Sequence, residues 1–184
     1  MSLGDGLGLA VLALTVAGLV SIVHATLRLG ISPVPTSAGV RRALLQMLPA
    51  SLDGEVHELG AGWGGLALAL ADARPRARVI AWEASWVPWA VFRVRLWLRP
   101  RANLTLVRAD LFGADLSRAQ AVVCYLWTGA MQRLSAKLQA ELPDGAAVLS
   151  HTFALRGWTP AETRTVDDLY RTPVYRYVAA RRDG

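Results

Sequence analysis

The sequence predicts an α/β fold, a Rossmann-like, mostly parallel sheet with helices on both faces and an antiparallel final strand. Three observations predict it. A short strand-forming run, Glu55–Leu59, ends in the turn Gly60-Ala61-Gly62-Trp63-Gly64-Gly65, and an Ala/Leu-rich helical run follows at once. A second strand-like run, residues 77–82, ends on Glu83, close to the ~20-residue spacing at which a carboxylate on the second strand receives ribose hydroxyls. Residues 121–126, AVVCYL, form the continuous apolar run that a parallel strand buried on both faces requires.

The glycine turn sets the ligand chemistry. Gly60, Gly62 and Gly64 can take positive φ and let a ligand approach the backbone where a side chain would block it. The helix that opens there points unpaired N–H groups into the turn. Two cofactors fit. Gly60, Gly62 and Gly65 satisfy G-x-G-x-x-G, the dinucleotide pattern of NAD. Glu58, however, stands two residues before the first glycine, where a dinucleotide has no cation for it to meet. S-adenosylmethionine carries an ammonium and a sulfonium, and a carboxylate attracts both. The methyl donor is therefore the expected cofactor and nicotinamide the alternative.

A chain of 184 residues accommodates one domain with a real core, here residues 31–184 behind an N-terminal segment 1–30. Cys124 is the only cysteine, which excludes an internal disulfide and suits a reducing compartment; its apolar run makes it a packed thiol. His24, His57 and His151 are scattered without ligand spacing, so no metal site is expected. The net charge is +6, carried by arginine apart from Lys137. Such a balance suits anionic lipid, nucleic acid or an acidic protein surface.

Residues 6–23 carry no charge. As a helix, residues 7–29 extend about 34 Å against a bilayer core of ~30 Å. The preceding residues lack a positive n-region and the cleavage site around Ala25 is poor, which argues against a signal peptide. Arg28, Arg41 and Arg42 follow the run and no Lys or Arg precedes it, so the expectation is a single-pass transmembrane anchor with a cytoplasmic catalytic domain. Ala13, Ala17, Ser21 and Ala25 form a small-residue stripe on which a homodimer can close in lipid.

Residues 31–37, ISPVPTS, read as an extended linker because two prolines fix φ and restrict their predecessors. Thr36 or Ser37 caps a helix with apolar Val40, Leu44, Met47 and Leu48, placed to cover the cofactor mouth. Residues 84–101 hold a helix between Pro88 and Pro100 that mixes Trp86, Trp89 and Trp97 with Arg93, Arg95 and Arg99. Three readings fit it: packing on the sheet with arginines in solvent, lying on lipid headgroups, or binding nucleic acid. The third strand, 103–107, ends at Asp110-Leu111, where an acid can take an adenine amino group. The fourth ends at Tyr125-Leu126-Trp127-Thr128 on the carboxyl edge of the sheet, where open α/β sheets place their ligands. Asp/Asn-Pro-Pro-Tyr/Phe is absent there, which disfavours a DNA adenine acceptor. A helix at 129–142, a Pro143-Asp144-Gly145 turn and a strand at 146–150 lead to His151-Thr152-Phe153. Residues 163–170 and 174–180 read as a hairpin.

The PVPTS linker after an apolar segment, the ELGAGWGG turn, Glu83, Ala109-Asp110-Leu111, AVVCYLWTGAM, LSAKLQAELPDGAAVLSH and Gly157-Trp158-Thr159-Pro160 resemble the small membrane-anchored class I methyltransferases. That family includes lysine methyltransferases of the adenine nucleotide translocase and of the ATP synthase c subunit, with bacterial relatives. The resemblance runs from about Pro33 to the C-terminus. It implies donor binding by Glu58, Gly60, Gly62, Gly64, Glu83, Asp110 and Leu111, and methylation of a membrane-protein lysine. Eukaryotic members have Gly-Asp-Gly where this chain has Gly62-Trp63-Gly64, so a polar contact to the donor is missing or replaced. Tyr125, His151 and Thr36 are the candidates to position the acceptor, and His151, with an ordinary pKa of about 6.5, is the candidate base. A dry mouth containing Trp127 and Trp158 would lower a lysine's pKa. The alternatives are a small lipophilic acceptor, a nicotinamide-dependent reductase, against which the absence of Tyr-x-x-x-Lys counts, and a tethered non-catalytic nucleotide sensor.

Overall fold

The computed structural model describes residues 3–29 and 35–180. Its elements in order are α1 (Leu3–Leu29), α2 (Ala38–Met47), β1 (Glu55–Leu59), α3 (Gly65–Ala73), β2 (Arg78–Trp82), α4 (Trp86–Leu98), β3 (Leu104–Val107), β4 (Ala119–Cys124), α5 (Thr128–Glu141), β5 (Ala147–His151), β6 (Glu162–Thr165) and β7 (Pro173–Val178). The seven strands form one sheet in the order β3-β2-β1-β4-β5-β7-β6. The first five pair in parallel, and β7 runs antiparallel to both β5 and β6. Strand order reverses between β1 and β4, which opens a crevice at their carboxyl ends.

The apolar runs that predict the strands do so because both faces of the sheet are covered. Val56, Val79 and Val123 pack on one face with Leu44, Leu70 and Phe92 from α2, α3 and α4. Val122 and Val148 pack on the other with Met131, Leu134 and Leu138 of α5. Ser37 caps α2 as expected, its hydroxyl accepting from the Val40 N–H at 3.3 Å. Two boundaries move with consequence for the site. β4 stops at Cys124, so Tyr125 and Leu126 leave the sheet, whereas β5 continues through His151, which pairs opposite Val174.

The expected membrane-spanning anchor is not supported. Residues 7–29 are helical within α1, but among the described residues no helix is long and apolar enough to cross a membrane. Ala13 and Ala17 of the small-residue stripe are exposed; the side chains of Ser21 and Ala25 lie outside the described residues, as do residues 31–34 of the linker. In α4, Phe92 and Leu96 are buried while Arg93, Arg95, Arg99 and Trp97 face outward.

Gly60, Gly62 and Gly64 all take positive φ (85°, 54° and 79°). The N–H groups of Gly60 and Ala61 both donate to the Trp82 carbonyl, at 3.0 and 2.8 Å, which pins the turn to the end of β2. A Cβ on Gly64 would collide with the Phe92 ring, whereas one on Gly62 would meet nothing within 4 Å. Gly64→Ala should therefore cost several kcal/mol, about 1–2 from the left-handed backbone and about 1–3 from overpacking. Gly62→Ala should cost only the backbone share. Denaturant midpoints of the two variants check this, and equal losses would contradict the assignment of Gly64 to a packing role.

Candidate functional site

The crevice between β1 and β4 contains a cavity of about 190 Å³ whose wall includes Glu58, Gly60, Gly62, Thr36 and Tyr125. Glu58 is carried there by the last turn of β1 and is 5% exposed. Its Oε2 has no hydrogen-bond partner among the described residues. Burial, then the neighbouring charge of Glu83, pushes its carboxyl up to about 8, against the opposing effect of the Ala67 N–H. Glu83, at the end of β2, is 2% exposed and better supplied. Its Oε2 accepts from the Gly62 N–H and its Oε1 from the Ser85 N–H, both at 2.7 Å. Glu83 thus ties the glycine turn to the β2 loop, and each oxygen retains a lone pair for a hydroxyl.

Two arginines complete this cavity, and sequence reasoning did not select either. Arg41 of α2 donates to the Thr36 carbonyl at 2.7 Å, and its guanidinium lies over Gly65 at the start of α3. Arg95 of α4 donates to the Trp63 carbonyl at 2.6 Å. Both line the cavity. The N-terminus of α3 has no side-chain cap and no acid in its first turn, so its backbone dipole adds to the same positive end. The cavity is consequently dipolar, with a buried carboxyl at the strand ends and two guanidinium groups at the helix end. No local pattern marks Arg41 or Arg95, because their positions depend on how α2 and α4 dock.

A second cavity of about 380 Å³ adjoins the first, sharing Pro35, Thr36 and Tyr125 with it. His151 lines it. The three residues chosen as acceptor-positioning candidates meet here: Tyr125 stacks on His151 with ring centroids 4.1 Å apart, and Thr36 Oγ1 lies 3.5 Å from His151 Nε2. On the other side of the ring, Nδ1 is 3.1 Å from Thr152 Oγ1, and Thr152 holds a positive φ of 65°. A left-handed non-glycine backbone costs energy, and such strain concentrates at functional sites. Burial pushes the His151 pKa down to about 4, against the raising effect of Asp168. This corrects the expectation of a base titrating near neutral pH: His151 is a neutral imidazole at pH 7.

Other expectations are corrected or relocated. Asp110 is exposed and caps the 3₁₀ turn Leu111–Gly113, its Oδ1 accepting from the Phe112 N–H at 3.0 Å; Leu111 is buried, and neither lines the two cavities. Gly64 and Glu83 likewise shape the first cavity from behind its wall. Trp127, 54% exposed, precedes α5, and Trp158 packs edge-on against Tyr177, so neither forms the dry mouth. Burial pushes the Cys124 thiol up to about 12, consistent with a packed thiol.

Known proteins resemble this chain over most of its length. A family model described as the ANTKMT methyltransferase domain matches residues 58–162. A protein-lysine N-methyltransferase of Saccharolobus islandicus (strain REY15A) is 32% identical over 138 residues, covering 73% of this chain and 84% of that one. The adenine nucleotide translocase lysine N-methyltransferase of Mus musculus is 34% identical over 137 residues; the match takes in 73% of this chain but spans only 58% of the mouse protein. An RNA methyltransferase from Salinibacter ruber, solved in complex with S-adenosyl-L-homocysteine, superposes with a TM-score of 0.73 at 28% identity, over 82% of this chain and 97% of that one.

The Glu58 carboxyl makes stability depend on pH in a definite direction. Its folded-state pKa is raised from an ordinary 4.5 to about 8. Between those values the folded chain keeps a proton that the unfolded chain sheds, so stability falls as pH rises through the window. His151, lowered from 6.5 to about 4, acts oppositely, and its contribution is lost as pH falls from 6.5 toward 4. Glu58→Gln removes the first effect alone. From pH 5 to pH 9 the variant should gain on wild type by on the order of a few kcal/mol. Parallel stability curves for the two proteins would contradict the raised pKa.

Proposed function

The chain belongs to the ANTKMT methyltransferase domain family, and on that premise we propose that this S-adenosylmethionine-dependent methyltransferase acts on the ε-amino group of a lysine, with a membrane protein as the acceptor. The observation that carries the reading is the dipolar cavity. The donor's amino-acid end bears an ammonium and a carboxylate, and the cavity offers the orphaned Glu58 oxygen at one end and Arg41 with Arg95 at the other. Gly62 leaves the backbone open between them, and Gly64 holds the turn against Phe92. Glu83 receives ribose hydroxyls with its remaining lone pairs.

When bound, S-adenosylmethionine supplies a methyl carbon on a sulfonium sulfur. The protein's task is to bring a neutral amine in line with it and to exclude water. Thr36 and Tyr125 stand in the wall shared by the two cavities, which supports a role for them beside the line of approach. The nitrogen lone pair forms the new N–C bond as the S–C bond breaks, and the amine must have shed its ammonium proton beforehand. His151, neutral at pH 7, adds no positive charge against an incoming ammonium and offers a nitrogen lone pair to hydrogen-bond the amine. With a pKa of about 4 it is a poor resting place for the proton, which leaves to solvent.

The acceptor class rests on the relatives. The archaeal and mouse proteins are named for protein lysine and for a lysine of the adenine nucleotide translocase. A membrane location is supported by surface chemistry: α1 exposes Leu7, Leu12, Val16 and Val20, and α4, which contacts it, exposes Trp97 and Leu98 beside Arg93 and Arg99. Apolar groups flanked by arginine suit an anionic membrane surface. Proteomic comparison of host membranes with and without the gene should show methyl groups lost from lysines of integral membrane proteins. Loss from RNA, from a soluble metabolite or from a small lipophilic molecule, with those lysines unchanged, would overturn the acceptor assignment.

The donor assignment has its own check. Replacing Arg41 or Arg95 by Gln should weaken binding of S-adenosylhomocysteine by about tenfold, the worth of one charge-assisted contact. Binding of 5′-methylthioadenosine, which lacks the carboxylate, should be unchanged. Equal weakening of both ligands would mean that the arginines only hold the fold.

A further inference from the structure

The second cavity is built for a particular kind of guest. One wall is the linker end and the start of α2, from Pro35 to Val40; the opposite wall is the turn that joins β6 to β7, from Asp168 to Pro173. The two walls touch where Gly39 meets Val166, whose side chain would stand 3.1 Å from a Cβ on Gly39. At the inner end lie Tyr125 and His151, beyond which the donor cavity begins. Most of this lining is apolar: Pro35, Val40, Pro173 and the faces of the Tyr125 and His151 rings.

Asp168 interrupts that apolar lining. Its Oδ1 accepts from the Thr172 N–H at 2.9 Å and its Oδ2 from the Thr172 hydroxyl at 2.8 Å. These bonds fix the carboxylate and hold it below the ordinary carboxylate range. The adjacent Asp167 pairs with Arg171 at 3.5 Å, but Asp168 forms no ion pair with a Lys or Arg among the described residues. A fixed anion with no Lys or Arg partner among the described residues, set in a largely apolar cavity that opens to solvent, fits a guest with a hydrocarbon stem and a positively charged end. Beside it the turn carries Leu169 and Tyr170, 88% and 83% exposed, at the outer rim.

We propose that the cavity between the linker and the β6–β7 turn is the entrance for the acceptor side chain, and that Asp168 selects a cationic alkylamine there while Leu169 and Tyr170 meet the apolar surface from which it projects. The inference rests on the lysine reading above. It adds the residue that recognises the amine and the face of the enzyme on which the acceptor protein sits. Asp168 contributes to selection as the ammonium enters. It is a specificity residue outside the bond-making step, which the Thr36–Tyr125 wall frames.

The test uses the full chain and donor analogues in which nitrogen replaces the sulfur and carries a straight alkyl arm of varied length, ending in an ammonium or in a hydroxyl. Wild type should prefer the ammonium arm over the hydroxyl arm by roughly tenfold at the best length. Asp168→Asn, which keeps an oxygen for the Thr172 N–H, should abolish that preference while leaving S-adenosylhomocysteine affinity and the thermal midpoint unchanged. Leu169→Ser, at a position outside the cavity lining, should leave all the analogues unaffected and raise the KM for methylation of host membranes with little change in kcat. Equal binding of the two arms by wild type, or an undiminished preference in Asp168→Asn, would overturn the proposal. Its failure is distinct from failure of the lysine reading, because the analogue experiment asks what the cavity prefers and the proteomic comparison asks which cellular groups lose methyl.

Discussion

Everything at this site is arranged around a buried carboxyl group that the protein itself leaves unsatisfied. Glu58 and Glu83 end adjacent parallel strands, both are almost fully buried, and neither forms an ion pair with Lys, Arg or His among the described residues. Two carboxylates so placed repel each other, and burial penalises each charge. Backbone N–H groups of Gly62 and Ser85 sustain Glu83. Glu58 has no such support for its Oε2, and its proton affinity rises instead. A buried polar atom without a partner is costly, and a native protein keeps one where a ligand will complete it. A cation entering beside Glu58 relieves both the desolvation and the repulsion.

The fold supplies the opposite pole from elements far away in the chain. Parallel pairing of β1 with β2 and β4 brings the strand ends into line, and the left-handed glycines clear the backbone between them. α3 then begins with its dipole pointed into the crevice, while α2 and α4 carry Arg41 and Arg95 to the same edge. The departure at Trp63 belongs to this account. The backbone carbonyl of Trp63 accepts from Arg95, so the polar group in this part of the site is a guanidinium delivered by α4.

The parts legible in the sequence are those governed by short-range rules. The strand–glycine–helix unit, the apolar run around Val122 and the C-terminal hairpin follow from periodicity and turn chemistry, and Glu58, Gly60 and Gly62 sit in the cavity wall because one uninterrupted segment carries them. Convergence of Thr36, Tyr125 and His151 was legible too, since parallel sheets expose the carboxyl ends of β4 and β5 on the same edge. What escaped depends on tertiary placement. The low pKa of His151 comes from burial beneath Tyr125, the role of Arg41 from the docking of α2, and the isolation of Asp168 from a turn that closes against Gly39. Trp127 and Trp158 are hard to place because aromatic character carries no direction: one faces solvent and the other, partly buried, packs edge-on against Tyr177 of β7. The apolar N-terminal run was legible as a helix, whereas the described part of α1 does not amount to a membrane span.

The central claim, that Glu58 keeps a proton until a cationic donor displaces it, can be measured directly. Calorimetric titration of the wild-type chain with S-adenosylmethionine, repeated in buffers of different ionisation enthalpy, counts the protons released on binding. With the Glu58 carboxyl pushed up to about 8, binding at pH 7 should release close to one proton per site, and above about pH 9.5, where the carboxyl is already ionised and the donor's amino group must gain a proton to bind as an ammonium, the release should give way to uptake. No proton release at pH 7, or a release that is the same at both pH values, would contradict the account.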